Sequence, residues 1–208
     1  DASLAKAAGP WRVPEVKDLP ESKTTFRTDP ENFHPYARDE RTLSRPWAIP
    51  GTPGLEHRIG GLEEQDVTGN VNYEPPNHER MVRLRAAKVA AIVQDVPDAV
   101  PAGDAEGDLL LVGWGSTYGA ITAALGAARA KGRRVGHVHL RHLNPLPKDL
   151  GEVLKRFKKV VIPELNLGQL VKMIRSTYLV PAESLAKVHG MPFKITELED
   201  KIRQLLES

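Results

Sequence analysis

From Asp108 to the C-terminus, short apolar runs alternate with stretches whose apolar residues recur every three or four positions. The first run, DLLLVG, is polar only at its start and suits a strand buried on both faces. Tyr118, Ile121, Leu125 and Ala128 then share one helical stripe. RVGHVHL reads as a second strand, and Pro147 opens a helix carrying Leu150, Val153, Leu154 and Phe157. KVVIPE is a third strand. Asn166 can cap the helix that follows, with Leu167, Leu170, Val171, Ile174 and Tyr178 on its apolar face. SLAKVHG gives a fourth, less apolar strand, and Thr196 with Glu199 forms a capping box for a last helix bearing Leu198, Ile202, Leu205 and Leu206. Strands alternating with helices imply right-handed crossovers. The pattern therefore predicts an α/β domain, a mostly parallel sheet with helices on both faces.

The first 78 residues carry no such period. Twelve of the 17 prolines lie between Pro10 and Pro101, and RPWAIPGTPGLEHRIGGLEEQDVTGNVNYEPPNHE is mostly turn chemistry. Prolines without a donor, mixed with glycines free to take positive φ, favour an ordered but irregular path. A segment of this kind and length is usually functional or a connection. Residues 1–78 are expected to form a Pro/Gly-rich extension that wraps a neighbouring domain or chain, with Trp11, Phe26, Phe33, Tyr36 and Trp47 as its anchors. Asn77 can cap a helix whose Val82, Val89, Ile92, Val93 and Val96 share a face until Pro97 stops it. This sets a linking helix over 79–101 and the sheet domain over 102–208.

Composition narrows the chemistry. The 208 residues include no cysteine, which excludes disulfides and any thiolate-held zinc or iron–sulfur cluster on this chain. A net charge of +2 is too small to argue for a nucleic-acid face, and no apolar run approaches 18 residues. A soluble cytoplasmic protein with no nucleic-acid or membrane partner is expected. The first strand runs into Gly113, Gly115 and Gly119, one residue longer in spacing than the dinucleotide-binding turn. Arg141 and His142 stand where that fold places an acid for the ribose. Arginine there suits a ribose 2′-phosphate, so an NADP-binding, Rossmann-like module remains an alternative to a purely architectural turn capped by Ser116. His137 and His139 would project from one face of a strand, as a metal pair or as packed imidazoles, with His142 nearby. Glu164 and Asn166 end the third strand, at the edge where open α/β sheets bind ligands, and could serve a ligand or cap the next helix. There is neither a G-x-S-x-G elbow nor a Walker-type loop.

Six ordered blocks, RPWAIPGTPGLEHRIGGLE, GNVNYEPPNHERMVRLRAAKV, GWGSTYG, HLRHLNPLP, PELNLGQL and KVHGMPF, together resemble the alpha subunits of 2-oxoacid:ferredoxin oxidoreductases, particularly the 2-oxoglutarate type. The resemblance implies a C-terminal portion of such a subunit, in which a long connection precedes a transketolase C-terminal-like domain serving assembly and active-site support. It implies a parent enzyme that converts 2-oxoglutarate to succinyl-CoA and reduces ferredoxin, with thiamine diphosphate, Mg²⁺ and an iron–sulfur cluster. The implied partners are an upstream pyrimidine-binding domain, a beta subunit and ferredoxin. The family's G-D-G magnesium pattern is absent, GDAEGD (Gly103 to Asp108) departing from it. This chain alone is accordingly expected to bind none of these cofactors, to contribute no catalytic residue and to be inactive. Under the same resemblance, 2-oxoglutarate brings a second carboxylate, best held by a bidentate arginine. Arg58 beside His57, on the glycine-flanked loop GTPGLEHRIGG, is the substrate-proximal candidate.

Overall fold

The structure is a computed structural model that describes residues 13–21 and 24–207, so Trp11 lies outside the described residues. The chain divides between Gln94 and Asp95 into two compact units.

The first unit is irregular, as its missing period predicts. One 3-10 turn (Val16–Asp18) and the isolated bridges Phe26↔Trp47, Tyr36↔Val67 and Glu64↔Val71 supply most of its order before residue 75. Gly69 adopts φ +74°, and a Cβ there would sit 2.8 Å from the Pro35 ring, so the turn needs glycine for both conformation and space. Tyr36 is buried, whereas Phe26 and Trp47 stay exposed. Helix α1 (Pro75–Ala91) starts on two prolines, whose missing donors are harmless in a first turn. Its cap position is Glu74, so the expectation for Asn77 is corrected. Asn77 lies inside the helix and ties down the preceding loop, donating to the Glu64 carbonyl and accepting from the Asp66 N–H, both at 3.1 Å. The apolar face expected on this helix is mostly not buried, Val96 beyond the helix being the exception. Met81 is enclosed, but Val82, Val89 and Ile92 are exposed, and α1 passes into a 3-10 turn (Ile92–Asp95) instead of continuing to Pro97. Charged contacts join α1 to the same loop, through Arg80–Asp66, Arg85–Glu63 (2.9 Å) and His78–Glu63 (2.6 Å).

The second unit is the α/β domain. Its elements run β1 (Ala102–Gly103), β2 (Gly107–Trp114), α2 (Tyr118–Ala130), β3 (Val135–Leu140), α3 (Leu150–Lys155), β4 (Phe157–Glu164), α4 (Gln169–Tyr178), β5 (Glu183–Ala186) and α5 (Ile195–Glu207). The sheet order is β1-β3-β2-β4-β5, parallel throughout except for the two-residue β1, which the sequence pattern did not signal. Central β2 splits its apolar run between two cores. Leu109 and Leu111 join Ile121, Leu125, Leu198 and Ile202 on one face, while Leu110 and Val112 join Leu150, Leu154, Leu170 and Ile174 on the other. Each such side chain is almost fully enclosed and contributes about 2 kcal/mol of transfer free energy. Both sheet faces are thus covered.

Several boundaries differ from the periodic reading. Phe157 begins β4 instead of ending α3, because Gly107 N–H pairs with the Arg156 carbonyl and opens the β2–β4 ladder there. Leu167 precedes α4 and is exposed. The strand in SLAKVHG stops at Ala186. At α5, Glu197 supplies the reach-back, accepting from the Lys194 N–H at 2.8 Å; Thr196 and Glu199 already lie within the helix.

Candidate functional site

In the sheet, β2 connects through α2 to β3 on one side, and β3 then crosses to β4 on the other. The carboxyl ends of β2 and β4 therefore flank a topological switch point, the usual ligand crevice of an open α/β sheet. Two loops meet the solvent there.

The first loop is the glycine turn. Gly115 takes φ +58° and opens a 3-10 turn (Gly115–Thr117) before α2. A reciprocal cap belongs to Thr117: its hydroxyl accepts from the Trp114 N–H (3.1 Å) and donates to the Trp114 carbonyl (2.8 Å). A Cβ on Gly113 would lie 2.6 Å from Ile121 Cδ1 and 2.9 Å from Thr117 Oγ1, which explains glycine here by close packing of strand on helix. No acid follows β3, and the turn closes on its own backbone. The dinucleotide alternative gains no support from this geometry.

Beneath the turn lie the histidines. His137 is buried and His139 partly so, their rings 5.6 Å apart, with the Tyr118 ring 5.7 Å from the first and 5.0 Å from the second. Tyr118 itself is exposed, so its place on a buried stripe is corrected. Burial, and secondarily the His139 charge, push the His137 pKa down to about 4. Burial and Arg141 lower His139 against an opposing hydrogen bond to the Gly115 backbone. Both rings are thus kept neutral and packed. Among the described residues no group of three or more histidine, cysteine or acidic side chains could hold a metal ion. His142 is exposed and makes no ring contact with the pair.

The second loop ends β4. Glu164 is completely buried; its carboxylate accepts from the Leu170 N–H (2.8 Å), the Val171 N–H (3.1 Å) and the Asn166 amide (3.2 Å). Asn166 Oδ1 accepts from the N–H groups of Gly168 and Gln169. Both residues are caps. The positive end of α4, where a phosphate would dock, is already occupied by the protein's own carboxylate.

The remaining candidates, His57 and Arg58, sit on the first unit. They line a cavity of about 430 Å³ with Phe33, Pro35, Glu56 and Asn70. The Phe33 ring meets His57 edge-on at 5.1 Å, and His57 Nδ1 donates to the Leu55 carbonyl at 2.8 Å, which leaves Nε2 as an acceptor in the neutral ring. Arg58 is exposed and forms no ion pair with a described residue. The loop therefore presents the Arg58 guanidinium, which suits a carboxylate, beside an imidazole whose Nε2 can accept from a donor group.

Residues 107–198 match the family "Pyruvate:ferredoxin oxidoreductase core domain II". The chain is 54% identical over 99% of its length to the 2-oxoglutarate oxidoreductase subunit KorA of Mycobacterium tuberculosis, spanning 31% of that protein. It is 29% identical over its whole length to the alpha subunit of 2-oxoacid:ferredoxin oxidoreductase 1 of Aeropyrum pernix, of which it spans 34%. A solved structure, the 2-oxoglutarate:ferredoxin oxidoreductase from Magnetococcus marinus with 2-oxoglutarate, coenzyme A and succinyl-CoA bound, superposes on 93% of the chain with a TM-score of 0.84 at 29% identity. The chain covers 34% of that structure's chain, and so spans about a third of the length of the proteins it matches.

Proposed function

From the premise that this chain is a relative of the alpha subunits of 2-oxoacid:ferredoxin oxidoreductases and corresponds to a C-terminal portion of them, we propose that it completes a 2-oxoglutarate-oxidising enzyme. The observation that carries this reading is the end-to-end match at 54% identity to a 2-oxoglutarate oxidoreductase subunit. In this role the irregular segment before Pro75 serves as the extension, α1 (Pro75–Ala91) as the linking helix and the α/β unit from Asp95 as an assembly domain. The parent enzyme would convert 2-oxoglutarate and coenzyme A to succinyl-CoA and pass electrons to ferredoxin. Thiamine diphosphate with Mg²⁺ would supply the decarboxylation chemistry, and an iron–sulfur cluster would accept the electrons.

The residues present do not fit those groups. A chain without cysteine has no thiolate for a cluster, and its described residues offer no acidic or histidine set for a metal. Their sites belong, on this reading, to an upstream domain and a beta subunit. What this chain can contribute is binding and support. Arg58 would hold the distal carboxylate of 2-oxoglutarate by charge, with His57 beside it at the substrate. No helix among the described residues is long and apolar enough to cross a membrane.

The test assembles the chain with its upstream portion and beta subunit and follows reduction of ferredoxin with 2-oxoglutarate and coenzyme A. Turnover is expected from the assembly and none from the chain alone; an assembly that turns over other 2-oxoacids but never 2-oxoglutarate would sink the reading. In the same assay Arg58→Ala is expected to lower kcat/KM for 2-oxoglutarate by about 10- to 100-fold, corresponding to about 1.5–3 kcal/mol for a lost charge-assisted pair. Pyruvate, which lacks the distal carboxylate, should be affected little. Equal losses for both substrates would return Arg58 to a structural role.

A further inference from the structure

A second cavity of the first unit is built from cations. Arg27, Arg38 and Arg45 line a space of about 790 Å³ together with Thr24, Thr25 and Trp47. None of the three arginines is in an ion pair with a described residue. Arg38 Nη1 donates to the Leu43 carbonyl at 3.2 Å, while its Nε is buried and has no hydrogen-bond partner. The Arg45 guanidinium lies 4.3 Å above the Tyr36 ring and that of Arg38 lies 5.9 Å from the same centroid, so one aromatic face gathers both cations. Burial first, and then Arg45, lower the Arg38 pKa, with Asp66 opposing. One acid, Asp39, lines the space; its Oδ1 already accepts from the N–H groups of Arg41 and Thr42 and from the Thr42 hydroxyl.

Asp66 acts on Arg38 and the buried Glu64 on Tyr36, but neither forms an ion pair with the arginines. Like charges gathered around a buried, unsatisfied donor therefore still leave a cost that a bound anion would relieve. Arginine forks suit phosphate oxygens in particular. Trp47, exposed on the rim and linked to the arginine wall by the Arg27 N–H donating to its carbonyl at 2.7 Å, offers an indole plane on which a base can stack. We propose that this cavity binds a phosphorylated nucleotide, with Arg38 and Arg45 on the phosphate and Trp47 on the base. Two sources share that chemistry: the 3′-phosphorylated adenosine handle of coenzyme A, and a free nucleotide acting as an effector.

The experiment titrates the full 208-residue chain with 3′,5′-ADP, 5′-ADP, adenosine and sodium phosphate by calorimetry. Saturable binding of the nucleotides is expected well below about 1 mM, with adenosine at least tenfold weaker. Tighter binding of 3′,5′-ADP than of 5′-ADP identifies the coenzyme A handle; the reverse order identifies a free nucleotide. Arg38→Gln and Arg45→Gln should each weaken nucleotide binding by roughly tenfold or more. The exposed Arg27→Gln and Trp47→Leu, which leave the Tyr36 stack intact, should also weaken it, Trp47→Leu without changing phosphate binding. The proposal is overturned if no nucleotide saturates the chain, if adenosine binds as well as its phosphates, or if Arg27→Gln and Trp47→Leu bind as the parent does. Binding of a poly-glutamate peptide in place of every small anion would overturn it too, by making this face a protein contact. Because the readout is binding to this chain, its outcome is separate from whether the assembled enzyme uses 2-oxoglutarate.

Discussion

Glu164→Ala is expected to destabilise the α/β domain by about 3 kcal/mol, the scale of charge-assisted hydrogen bonds lost from a buried site. The substitution removes the acceptor of two backbone donors at the start of α4 and of the Asn166 amide. It leaves those donors in a place from which water is excluded, since Glu164 is completely enclosed. Burying a carboxylate is costly in itself, but at a helix N-terminus the dipole and the N–H groups offset that cost. Glu164→Gln keeps the shape and one good acceptor and should fall between the two. Urea unfolding at neutral pH measures the series; a loss below about 1 kcal/mol for the alanine variant would mean that the cap is not holding α4 in place.

Acid should weaken the same domain before its carboxylates titrate. His137 has a folded-state pKa near 4, against an ordinary value of 6.5. As pH falls below 6.5 the unfolded chain takes up a proton that the folded chain refuses, so stability declines from there and levels off below about 4. Full development of that difference corresponds to about 3 kcal/mol. The stabilising carboxylates act lower: burial opposes but hydrogen bonds lower the pKa of Asp108 and Glu197, whose contributions persist until the pH drops below their ordinary range. Stability measured at pH 7 and pH 4.5 should therefore differ markedly in the parent chain and much less in His137→Leu. If the variant keeps the parent's slope over that interval, His137 is not the group responsible.

The elements of the α/β domain were legible because its own residues bury them. Leu109 to Val112 have to be covered on two faces, and the periods of Ile121, Leu125, Ile174 and Ile202 point to the helices that cover them. What failed was local. Leu154 and Phe157 fit one helical stripe and also pack in one core, so spacing alone could not tell that the chain turns into β4 between them. Val82, Val89 and Ile92 share a helix face that the described residues leave exposed, so their pattern carries no information about the core. In the first unit, order comes from positive-φ glycines, isolated bridges and side-chain ties, none of which leaves a period. Arg58 and His57 are proposed only by way of the family resemblance, whose substrate asks for a cation at its second carboxylate. Arg38 and Arg45 could not be named, because only the Tyr36 ring brings them together.

The ties between α1 and the 63–66 loop set a condition on that order. Arg80, Arg85 and His78 are each more than half exposed where they meet Asp66 and Glu63. Such pairs are individually weak and are screened over about 8–10 Å at physiological salt. The stacked cores of the α/β domain are, by contrast, strengthened by the excluded anions that screen charges. Ionic strength therefore acts on the two units with opposite sign, and a concentrated sulfate solution that tightens the sheet loosens the loop that α1 holds.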